Sequence, residues 1–190
     1  ARWSVPLRRT CERLAGLIWL SAPMGLVGVF SLPVLYPWTT PEGLESPLVS
    51  GKAAWLNQPF FAARVVIYLF LWVLSHRILV GGSLLQDETK DPQLTVRARR
   101  FAPVFMVIFG LTITVVAFDW ISSLEPEWYS DMFGVYLFAG TFLAGLAATA
   151  LATAYLLRRG RLEGVRFDHL YGLGGFLFAF TVFWSYIAFA

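Results

Sequence analysis

A few ionisable side chains sit inside or at the ends of long apolar stretches, where chemistry could be done. Arg64, His76 and Arg77 interrupt an otherwise apolar run, Asp119 closes another, and Asp168 and His169 open a third. A charge within a bilayer is costly, so such residues pair, line a polar path or mark a functional site. At about 1.5 Å of rise per residue, Arg64 lies about 6 Å inside its run from Phe60, and Asp119 about 27 Å from Phe101. The two therefore share a depth, and an Arg64–Asp119 ion pair is expected. The competing expectation is an arginine reaching out to the interface and an aspartate in a loop. His76, with Asp168 and His169, forms a second polar group at the opposite end. Tyr68, Thr112, Thr114 and Thr141 lie between the two ends. Their hydroxyls could carry protons with water, or bond back to their own helix backbone.

The elements that must position these groups are legible in the composition. The 190 residues are 57% hydrophobic and only 14% charged, where an ordinary soluble domain has about a quarter charged. Stretches of about 18 or more apolar residues read as transmembrane helices. Five are expected, over residues 14–36, 60–82, 101–121, 132–157 and 169–190. The fold class is all-α, a polytopic helical bundle in one membrane-embedded region, 1–190. Pro23 and Pro33 should kink or end the first span. The string Tyr36-Pro37-Trp38-Thr39-Thr40-Pro41 should open a loop reaching Pro59. The fourth span is rich in alanine, glycine and threonine from Ala144 to Ala154. Small residues allow close helix approach in lipid, so this span should be central.

Charge orients the spans. Thirteen of the fifteen basic residues fall before the first span, between the second and third together with the flanking Arg77, or between the fourth and fifth. Arg2, Arg8, Arg9 and Arg13 make up the first set. Basic residues remain cytoplasmic, which predicts a cytoplasmic N-terminus. Tyr36, Trp38, Trp55, Trp120, Trp128 and Tyr129 cluster on the other side and fit an interfacial aromatic belt. Arginines that flank helices rather than form one patch argue against a nucleic-acid partner.

Cofactor chemistry is limited by residue supply. One cysteine, Cys11, excludes an intramolecular disulfide, a CxxCH haem attachment and an iron–sulfur cluster held by this chain. His76 and His169 are the only histidines, so bis-histidine haem would need both. No HExxH spacing is present, and Gly172-x-Gly174 lacks the context of a dinucleotide motif.

One string is distinctive: Phe118-Asp119-Trp120-Ile121-Ser122-Ser123-Leu124-Glu125-Pro126-Glu127-Trp128-Tyr129-Ser130-Asp131-Met132-Phe133-Gly134-Val135-Tyr136. It resembles the signature of the second large membrane component of alternative complex III, the bacterial quinol:cytochrome c oxidoreductase. That component groups with the NrfD-like membrane subunits of polysulfide reductases. Residues 178–189, ending Trp184-Ser185-Tyr186-Ile187-Ala188-Phe189, resemble a second stretch of the same family. Glu127 departs from the pattern, because family members commonly have histidine there.

The resemblance implies the middle portion of a multi-pass subunit of the bacterial inner membrane. Its partners would be a multihaem cytochrome c, an iron–sulfur subunit and a sister membrane subunit that binds quinol. Haem c and iron–sulfur clusters would belong to those partners, with no cofactor or metal in this chain and quinone an open ligand. The task implied is non-catalytic, a proton route or a coupling or scaffold role. Proton-route candidates are Arg64, Asp119 and Glu125 at the outer end, His76, Asp168 and His169 at the inner end, and Tyr68, Thr112 and Thr114 between. On this expectation Asp119→Asn lowers coupled proton movement without preventing assembly. The alternatives are a secondary-transporter fragment, expected to show repeats and broken helices, and a haem b anchor of a dehydrogenase.

Overall fold

The computed structural model describes residues 5–162 and 164–189, with the side chain of Ala22 left aside. Arg2 of the charge count and Ala190, the end of the fifth expected span, lie outside the described residues. The described chain is helical: α1 (Arg8–Ala15), α2 (Ile18–Phe30), α3 (Leu32–Leu35), α4 (Pro41–Glu45), α5 (Pro47–Ser50), α6 (Gln58–His76), α7 (Gly82–Thr89), α8 (Pro92–Val116), α9 (Phe133–Arg158) and α10 (Phe167–Ala188). Five stretches among the described residues are long and apolar enough to cross a membrane: Arg8–Phe30, Gln58–Thr89, Pro92–Leu124, Phe133–Arg158 and Phe167–Ala188.

A helical stretch of sufficient length and apolarity overlaps each expected span, with shifted ends. The first begins at Arg8 and stops before Pro33, because Ser31 interrupts the helix and Tyr36 is extended (φ −114°, ψ 111°) ahead of Pro37. The second runs on to Thr89 through a π-helical turn, Arg77–Gly81. The third starts at Pro92 rather than near residue 101. Asp91 caps it by accepting from the Gln93 N–H (2.9 Å), and proline suits the first helical position. Arg97, Arg99 and Arg100 are thus helical and not in a loop.

The chain divides into two compact units. The first holds residues up to Leu17 and from Val135 onward. Its helices α9 and α10 run antiparallel, as the ring pairs Tyr136–Trp184 (5.3 Å between centroids) and Phe142–Phe180 (4.3 Å) require. Gly140 faces Trp184 so closely that a Cβ would lie 3.0 Å from its indole nitrogen. Between these helices, Gly160 takes positive φ (62°). The Arg161 N–H then bonds the Leu156 carbonyl and the Gly160 N–H the Leu157 carbonyl, a Schellman ending.

The second unit spans Ile18–Gly134. Here α2 packs on α6 at Gly25, where a Cβ would come within 2.7 Å of Leu69. Helices α6 and α8 are antiparallel, since Tyr68 meets Asp119 while Trp72 meets Thr112. Lys90, the lone non-glycine residue with positive φ (58°) among the described residues, turns α7 into α8. Gln86 Nε2 donates to Thr95 Oγ1 (2.6 Å) across that hairpin.

The expected long loop is instead a folded cap built from α4, α5 and tight turns. Trp38 (1% exposed) and Tyr36 (6%) pack with Leu32, Val49, Leu56 and Phe61 in its core. This corrects the aromatic belt in part. Tyr36 and Trp38 are interior because the cap buries them, whereas Trp55, Trp128 and Tyr129 keep the exposure a belt requires. The cap also locks onto residues 122–131. Ser46 Oγ donates to Glu127 Oε1 (3.1 Å), and Lys52 Nζ donates to the Pro126 carbonyl (2.5 Å).

Candidate functional site

The expected ion pair is formed, and it is the centre of the second unit's capped end. Arg64 and Tyr68 are one helical turn apart on α6, so they present to the same face. Asp119 comes from a π-helical turn, Ala117–Ile121, that follows α8. Such single wide turns recur at functional positions. This one leaves Ala117 and Asp119 both buried. The carbonyls it frees are used. The Ser123 hydroxyl donates to the Asp119 carbonyl, and the Tyr36 hydroxyl donates to the Trp120 carbonyl (3.1 Å). Buried backbone acceptors need such partners.

The carboxylate of Asp119 is 1% exposed and accepts four hydrogen bonds. Oδ2 accepts from Arg64 Nε (2.7 Å) and Tyr68 OH (2.7 Å). Oδ1 accepts from Arg64 Nη2 (3.0 Å) and Trp55 Nε1 (2.8 Å). Those four donors fill the acceptor positions of an ionised carboxylate. The guanidinium is equally enclosed. Its Nη1 donates to the Trp55 carbonyl (3.1 Å), and its central carbon lies 4.2 Å from the Trp55 ring centroid and 4.3 Å from that of Phe60. The two rings clamp the cation edge-to-face with each other (5.6 Å, 87°). A bidentate arginine between aromatic faces adds cation–π attraction to the charge pair.

Trp55 is a member of the cluster that the sequence does not single out. It looks like one more belt tryptophan, yet it donates to the carboxylate, accepts from the guanidinium and covers it. Asn57 places it: Oδ1 caps α6 through the Phe60 N–H (3.0 Å), and Nδ2 donates to the Ala53 and Ala54 carbonyls (3.1 Å each). An Asn-x-Pro start to a helix is the local signal. A cleft of about 410 Å³ adjoins the cluster, lined by Trp55, Phe118, Ser122, Trp128 and Tyr129 among others.

The remaining candidates are placed as follows. Glu125 is exposed on the loop after the π-helical turn, and among the described residues no hydrogen bond or ion pair joins it to the cluster. Thr112 Oγ1 donates to the Ile108 carbonyl (2.7 Å) and accepts from Trp72 Nε1 (2.8 Å). Thr114 Oγ1 donates to the Gly110 carbonyl (2.8 Å). Both hydroxyl protons are therefore spoken for by the helix backbone, and an indole N–H only donates. Direct hydrogen bonds do not link Tyr68 through Thr112 to Thr114.

His76 ends a stripe on α6 in which Arg64, Tyr68, Trp72 and His76 recur every fourth residue. Its ring meets Trp19 edge-on (6.1 Å), and both ring nitrogens are buried with no hydrogen-bond partner among the described residues. A buried polar atom without a partner costs about 1–3 kcal/mol. Asp168 and His169 belong to the other unit, at the start of α10. Asp168 is exposed, and His169 Nδ1 accepts from the Arg166 N–H (2.8 Å), which satisfies a helix-terminal donor. Among the described residues, no three His, Cys, Asp or Glu side chains converge to hold a metal ion.

No protein-family model matches the chain, and a search of curated proteins returns no match.

Proposed function

We propose that this chain forms part of a membrane subunit of a bacterial quinol:electron-acceptor oxidoreductase of the alternative complex III type. In this assignment it carries no redox cofactor. It stands beside the quinol-oxidising membrane subunit, a multihaem cytochrome c and an iron–sulfur subunit, in the bacterial inner membrane. The observation that carries the reading is a coincidence of string and site. The distinctive segment 118–136 supplies both the buried carboxylate, Asp119, and the loop that Ser46 and Lys52 fasten to the cap.

The charge distribution supports a cytoplasmic N-terminus and α7–α8 hairpin, with the cap outside. At that outer end the Arg64–Asp119 cluster acts as a fixed strut. Every acceptor position of the carboxylate is occupied, so the cluster transmits position rather than protons. A coupling or scaffold role follows at the outer end.

One observation favours a proton route as a second reading. His76 keeps two unpartnered ring nitrogens at the inner end of the stripe, although retaining them lowers stability. A proton would cross the two helical turns between His76 and Tyr68 on water. His76→Leu distinguishes the readings. In the assembled complex reconstituted into vesicles, a strut predicts an unchanged proton-to-electron ratio and equal or higher thermal stability, since an unpaired polar group is gone. A fall in the ratio with assembly intact would overturn the strut reading in favour of the proton route.

A further inference from the structure

We propose that the α7–α8 hairpin binds the phosphate of an anionic phospholipid between Arg77, Arg97 and Arg100, with an acyl chain along Phe101 and Val104. Two clefts, of about 600 and 280 Å³, lie on the hairpin and share Ile78, Leu94 and Arg97 in their linings. Arg100 and Val104 line the larger, and Arg77 with Gly81 and Gly82 line the smaller. Arg97 borders both.

The geometry has three local causes. Arg97, Arg100 and Val104 fall at i, i+3 and i+7 on α8 and so share a face. The π-helical turn Arg77–Gly81 widens the facing helix. A Cβ at Gly81 or Gly82 would meet nothing within 4 Å, so the space above them is open. The Gln86–Thr95 bond and the Asp91 cap hold the hairpin rigid.

The charges ask for an anion. No ion pair involves any of the three arginines among the described residues. Arg77 rests on the Trp19 ring (5.2 Å). Asp91, the one carboxylate lining either cleft, caps α8 through Oδ1, and its single charge is outnumbered by the three arginines. The apolar floor identifies the anion's carrier. From Arg97 to Val104 the helix climbs about 10 Å, from cation to bare hydrocarbon. That is the polarity of a phospholipid from headgroup to chain, and basic pockets between spans take anionic headgroups. A free phosphate would leave the floor unused.

The test is native mass spectrometry of the full chain in detergent micelles titrated with phosphatidylglycerol or phosphatidylcholine. Selective retention of phosphatidylglycerol is expected. R97Q and R100Q should each weaken it about fivefold, the effect of about 1 kcal/mol per basic residue. R99Q removes the same charge outside both clefts and should leave affinity within about twofold of the parent. G81L fills the smaller cleft at constant charge and should weaken binding too. Equal retention of phosphatidylcholine, or an R99Q loss equal to that of R97Q, would overturn the site. Displacement of the lipid by millimolar inorganic phosphate would overturn it in favour of a free anion.

Discussion

Asp119→Ala lowers the stability of the second unit by about 3–5 kcal/mol, the cost of stranding a buried charge. The substitution leaves the Arg64 guanidinium, 5% exposed, without its counter-charge. It also strands the Trp55 indole N–H and the Tyr68 hydroxyl, both of which donate to the lost carboxylate. Arg64 is bound by aromatic rings on two sides and has little room to seek water. The double variant Arg64→Leu with Asp119→Leu should lose less than Asp119→Ala alone, because removing both charges also removes their desolvation cost. Thermal unfolding in one detergent, followed for all three proteins, measures this. An Asp119→Ala midpoint equal to the parent's would show that the pair does not hold the capped end together.

Gly43→Ala should be nearly as damaging, for a steric reason. The new Cβ would lie 2.0 Å from the Pro37 carbonyl oxygen and 2.8 Å from its carbon, and neither atom belongs to a flexible side chain. The Gly43 N–H also donates to Thr40 Oγ1 (3.1 Å), so α4 cannot shift without losing its cap. Overpacking of this kind costs about 1–3 kcal/mol or more. Trp38, buried beneath the cap, should become accessible. Amide exchange over residues 37–57 should quicken, and tryptophan emission should move to longer wavelength. Parent-like exchange would mean that the cap tolerates displacement and does not anchor Trp55.

The long apolar runs and their charged ends make five helices and the Arg64–Asp119 pair readable from residue order alone. Depth counting works because helical rise is fixed and α6 and α8 are antiparallel. The two π-helical turns are not readable, since one extra residue per turn leaves no mark on an apolar stretch. That omission shifts span ends and hides how Asp119 is aimed. The burial of Tyr36 and Trp38 is also hidden, because an aromatic residue near a membrane end suits a belt and a cap core equally. Asp91-Pro92 is a helix start in plain view, but the arginines that follow read as a flank. Thr112 and Thr114 take the commoner of their two options and bond to their own helix. His76 stands out in the sequence as an ionisable residue in an apolar run, whereas what sets it apart in the fold is that neither ring nitrogen has a hydrogen-bond partner among the described residues.

The central claim is membership in a quinol-oxidising complex, and purification tests it most directly. The protein that carries this chain would be tagged, drawn from its native membranes in mild detergent, and examined by peptide mass spectrometry and a reduced-minus-oxidised spectrum. The account predicts a co-purifying multihaem cytochrome c, with its c-type haem bands, together with an iron–sulfur subunit and a second multi-pass membrane subunit. Recovery of the protein alone, with no haem signal, would contradict it.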